Sequence, residues 1–156
     1  MTISTIINFL HLLATSTWIG GMLYINIVLM PSVSAIDPAQ RGQFLGATTK
    51  RFAFLASGSI VVLVITGIMR TPSQLMFNLS TIYGIALTLK HLVISVMIVI
   101  GLVISFWLGP KVKSLTPAPG EQPQAGFLKI QSQISTFARI NMVLGVLVLF
   151  LAGILI

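Results

Sequence analysis

Four long apolar stretches alternate with short polar or proline-containing connections along the chain. The first covers 3–30 and carries no lysine, arginine or acid before Pro31. The second covers 51–70 and stops at Arg70-Thr71-Pro72. The third covers 83–108 and meets Gly109-Pro110, and the fourth covers 133–156. A bilayer crossing needs ~20 predominantly apolar residues, so each stretch is long enough for one transmembrane helix. Asp37-Pro38 reads as an N-cap followed by a first-turn proline, which predicts a short helix leading into the second span. No internal repeat is strong enough in the residues to argue for duplication.

Composition agrees. Hydrophobic residues make up 56% of the 156 and charged residues 7%, against roughly 25% charge in a soluble domain. Such a chain cannot cover a surface in water, so its apolar faces must meet lipid. The predicted fold is all-α, an integral membrane four-helix bundle forming one transmembrane domain. The N-terminus lacks the basic segment of a signal peptide and is read as part of the first span.

The net charge is +7. The basic residues gather at the ends of apolar stretches, which points to topology and anionic headgroups and excludes nucleic acid as the partner. Arg41, Lys50 and Arg51 lie in or beside the first connection, and Lys111, Lys113 and Lys129 in or beside the third. Both connections fall on one side of a four-span bundle. The positive-inside rule makes that side cytoplasmic and puts both termini outside. The expected location is a bacterial inner (plasma) membrane, multi-pass. The bilayer is the expected partner, with a homodimer or a larger membrane complex left open. The chain has no cysteine, which removes disulfides, thiolate metal sites and iron–sulfur clusters.

Ionisable side chains at membrane depth are costly and are functional candidates by default. His11, Lys90 and His91 stand out. His11 and Lys90 both fall roughly 10–12 Å below the outer end of their spans at 1.5 Å per residue. At helical spacing His11 aligns with Ser4, Asn8, Thr15, Trp18 and Met22, a polar and aromatic stripe expected to face the interior. His91 shares a face with Gly84, Thr88 and Ser95, and Lys90 one with Tyr83, Met97 and Gly101. Adjacent helical residues point ~100° apart, so Lys90 and His91 cannot both aim at one site on the first span.

Histidines at one depth on different helices suit a b-type haem. This reading takes His11, His91 or Lys90 as axial ligands, Trp18 in the wall and Arg70 for the propionates, with a redox or electron-transfer role. Copper is the alternative, held by His11, His91 and Met22, since thioethers suit Cu(I). A third reading makes the protein an accessory subunit whose polar residues only join helices. Both acids, Asp37 and Glu121, lie between spans. Proton pumping through buried carboxylates is therefore not expected, and no base–nucleophile set for hydrolysis exists beyond the histidines. If the protein is an enzyme, it is a membrane oxidoreductase.

The run from His11 through Trp18, Gly20, Gly21 and Tyr24 to Pro31 resembles the opening helix of the copper-resistance D (CopD) family of membrane proteins. Arg51-Phe52, Thr66-Gly67, Tyr83-Gly84 and Leu89-Lys90 continue the likeness over most of the chain. More distantly, the chain is similar to the four-helix haem-binding protoporphyrinogen oxidases of bacteria. In that family a first-helix histidine and a third-helix lysine matter most, positions matched by His11 and Lys90. The resemblance thus implies a haem b or metal site at His11 with Lys90 nearby. The oxidases carry a further histidine near the place of Leu102.

Overall fold

A computed structural model describes residues 2–36, 38–71, 73–75, 78–118 and 121–155. Four long helices account for most of them: α1 (Ile3–Ser32), α2 (Pro38–Arg70), α3 (Ile82–Ser114) and α4 (Ala125–Ile154). Short 3₁₀ turns at Val33–Ala35 and Ser73–Leu75 complete the regular structure among the described residues. Each long helix is apolar and long enough to cross a membrane.

The helices run beyond the stretches that hydropathy marks. α2 begins at Pro38 and is continuous to Arg70, so the expected short lead-in helix and the second span are one rod. Nothing between Pro38 and Lys50 breaks a helix; polarity there marks the exit from lipid, not the end of hydrogen bonding. Proline at the first turn needs no N–H partner. The proposed cap, Asp37, lies outside the described residues. α4 likewise starts at Ala125, after Pro123.

Pro31 and Pro110 do not stop α1 and α3. Each helix widens first into six π-helical residues, Tyr24–Leu29 and Val103–Leu108. The Met30 N–H then bonds Ile25 O, and the Gly109 N–H bonds Ile104 O. A proline ring in a regular α-helix clashes with the carbonyl four residues back. The wider turn before it moves that carbonyl aside, and the chain stays helical.

α1 packs along α2, α3 along α4, and α1 also against α4. The core joins Trp18, Ile19 and Met22 of α1 to Val93 and Met97 of α3 and Val148 of α4, with Phe52, Ala56 and Ile60 of α2 packed against them. Met97 is fully buried. Two glycines allow the close approach. A Cβ at Gly21 would run into the Phe52 ring, and one at Gly145 would stand 3.2 Å from the Met22 methyl and 3.4 Å from that of Met97. Large apolar side chains such as Phe54, Ile68, Phe106 and Phe150 point outward, as lipid requires. Thr15, Thr17, Ser57, Thr66 and Thr88 each donate to the carbonyl four residues back, so these hydroxyls need no water inside the bilayer.

The two hairpins, α1–α2 and α3–α4, repeat one plan that the residues alone do not display. One displacement along the chain carries the N-cap Thr2 onto the N-cap Thr81, Tyr24–Leu29 onto Val103–Leu108, and Pro31 onto Pro110. Both cap hydroxyls accept from the N–H three residues on. The same displacement carries His11 onto Lys90 and Trp18 onto Met97.

Candidate functional site

His11 is half-buried on α1, about 12 Å along the axis from the helix start. Its Nδ1 lies 2.7 Å from Thr66 Oγ1 on α2. The Thr66 hydroxyl donates to Val62 O at 2.6 Å, and a carbonyl can only accept. With its one hydrogen used there, Thr66 Oγ1 must accept from His11 Nδ1–H. The neutral ring therefore carries its hydrogen on Nδ1 and leaves the Nε2 lone pair bare. A partner fixing one ring nitrogen so that the other can bind is the usual second layer of a metal-ligating histidine. Thr15 Oγ1 donates to His11 O at 2.7 Å. Gly67 sits against the ring, its absent Cβ 3.8 Å from Cε1.

Lys90 is half-buried on α3. Lys90 shares its face with the fully buried Met97, so that face turns inward. His91 Nδ1–H donates to Leu87 O in its own helix at 2.7 Å, which likewise leaves its Nε2 uncommitted. A cleft of about 470 Å³ opens beside the cluster, lined by Ile3, Ser4, Ile7 and Asn8 of α1 and Met69 and Arg70 of α2. Ser4 and Asn8 are the polar residues that share a stripe with His11 and stand between it and the helix end.

Trp18 and Met22 lie further along α1, in the core. Helical rise separates Met22 from His11 by roughly 16 Å along the axis, whereas metal–ligand bonds run about 2.0–2.3 Å. One ion therefore does not bridge His11 and Met22. Among the described residues no group of three or more His, Cys, Asp or Glu side chains converges. Thr66 is the site residue that the search for ionisable groups passes over. Its signal is a polar-small pair, Thr66-Gly67, inside an aliphatic run.

Four apolar spans around a polar cluster define a multi-pass helical membrane protein. The family model for Copper resistance protein D matches residues 46–155, which cover α3, α4 and most of α2. The chain belongs to that family. No curated protein and no solved structure matches it. The more distant likeness to protoporphyrinogen oxidases gains no support, and neither do haem, oxidoreductase activity or electron transfer. The family's description, copper resistance, relates it to copper.

Proposed function

We propose that this protein carries copper across a bacterial inner membrane, with His11 as the ligand that first receives the ion. The observation behind the reading is the bare Nε2 of His11, held in one tautomer by Thr66 at membrane depth, in a chain of the copper-resistance D family. Imidazole and thioether donors suit copper. Beyond His11, the methyl ends of Met22 and Met97 converge on Gly145, so soft sulfur donors are placed deeper along the same two helices. The basic residues Lys50, Arg51, Lys111 and Lys113 lie away from the ends where α1 and α3 begin. On the positive-inside rule those beginnings, and His11 with them, belong to the outer half.

Lys90 and Arg70 shape what this site accepts. A unit positive charge within ~10 Å opposes a cuprous ion by about 1–2 kcal/mol at an effective dielectric of ~20.

Metal analysis of protein purified after copper exposure tests the reading. Wild type should retain stoichiometric copper and His11→Ala should lose it. Equal copper in the two proteins, or none in either, refutes the assignment. A Soret band in the purified protein's absorption spectrum would restore haem in its place.

A further inference from the structure

Two unlike features meet on one face of α4. The first is a gap between thioethers. Gly145 is buried, and a Cβ there would stand 3.2 Å from the Met22 methyl, 3.3 Å from Ile19 Cγ2 and 3.4 Å from the Met97 methyl. The ends of two methionines, one from α1 and one from α3, therefore meet over a bare stretch of α4 backbone, and any side chain at 145 would fill the space between them. Met22 is 5% exposed and Met97 is fully buried.

The second is an orphaned oxygen. Asn141 stands one helical turn before Gly145, on the same face. It is 6% exposed, and its Oδ1 accepts no hydrogen bond among the described residues. A buried amide oxygen without a donor is costly where water is excluded. Packing does not account for it, since leucine fills a similar volume without that cost. Asn26 lies one turn past Met22 on α1 and donates from Nδ2 to Met22 O at 2.8 Å. α1 and α4 pack together and run in opposite directions, so both amides lie on the side of the Met22–Gly145 contact away from His11. The two acids of the chain, Asp37 and Glu121, lie between helices, so the donors here are all neutral. Thioethers suit Cu(I), and the cost of burying an ion rises with the square of its charge.

We propose that Met22, Met97 and Asn141 form a passage point for a soft monovalent cation, which is Cu(I) in the transport reading on which this rests. The thioethers take the place of the ion's water, and the amide oxygen receives it on the far side. A divalent ion finds no negative charge there to offset its greater burial cost. His11 receives the ion; these three residues decide which ion passes.

Metal uptake into proteoliposomes holding the purified protein tests this. Cu(I) is supplied with ascorbate, and Ag(I) and Zn(II) without it. Cu(I) and Ag(I) should enter and Zn(II) should be excluded. Met22→Leu and Met97→Leu keep the core volume; each should slow Cu(I) and Ag(I) uptake by about tenfold or more, as loss of a metal-site partner does, while copper bound at His11 stays at the wild-type level. Met30→Leu, at an exposed position, should leave uptake unchanged. Asn141→Leu should slow uptake and raise the unfolding temperature, because the chain sheds a buried oxygen that nothing satisfies. Zn(II) entering as fast as Ag(I), or wild-type uptake in both methionine variants, overturns the proposal and leaves the transport reading standing. Asn141→Leu with a lowered unfolding temperature overturns the role of its oxygen. Copper bound at His11 with no uptake of any ion overturns the transport reading and this proposal with it.

Discussion

Replacing Thr66 with valine removes one oxygen and almost no volume. Valine cannot accept from His11 Nδ1–H, a bond of 2.7 Å in the structure. The ring then either keeps its hydrogen on Nδ1 unpaired, at about 1–3 kcal/mol in an apolar setting, or moves it to Nε2. The second course is the cheaper and occupies the nitrogen that a metal ion needs. Loss of such an orienting partner typically lowers metal affinity about 10–100-fold, equivalent to about 1.4–2.8 kcal/mol. The assay is competition for Cu(I) against a chromophoric chelator in detergent, with thermal unfolding measured alongside. Thr66→Val should bind copper within that weakened range at nearly unchanged stability. Thr66→Ser, which keeps the hydroxyl and its bond to the Val62 carbonyl, should stay close to wild type. Unchanged affinity in Thr66→Val, with His11→Ala abolishing binding, would refute the tautomer argument and leave Thr66 as packing.

Two further substitutions separate the site from the scaffold. Gly21→Ala drives a methyl into the Phe52 ring and should cost about 1–3 kcal/mol as overpacking; Gly21→Ala/Phe52→Leu should recover part of that loss, and thermal unfolding in detergent reads both. His91→Ala breaks a bond made inside α3 and should leave copper stoichiometry at the wild-type level, whereas loss of copper there would return His91 to the site.

Hydropathy located the membrane crossings because lipid tests average polarity, and the four apolar runs pass that test outright. Helix ends were a different matter. Pro31 and Pro110 look like stops, since proline ends an ordinary α-helix. Here six-residue π segments precede both, and that local widening leaves no mark in residue type. Of the candidate site, depth alone singles out His11 and Lys90, because two helices that begin in the same way place equal offsets at equal levels. Thr66 was not legible as a partner. A threonine in an aliphatic run looks like a packing residue until the crossing of α1 and α2 sets it beside the imidazole. The halves escaped notice for a related reason: His11 with Lys90 and Trp18 with Met97 are matched in position and unlike in chemistry.

That likeness of the two hairpins bears on how anything could pass through them. α1 and α3 run in the same direction through a bundle whose successive helices alternate, so the halves are related by rotation about the membrane normal. Transporters built from inverted halves can exchange the shapes of those halves and so present one site to opposite faces in turn. Parallel halves have no such exchange, because swapping their shapes returns a molecule that faces the same way. The two faces of this bundle therefore differ from the outset, and what imidazole in one half and ammonium in the other break is the equivalence of the halves around that axis: turning His11 and Lys90 into the same residue would restore it without exchanging the faces.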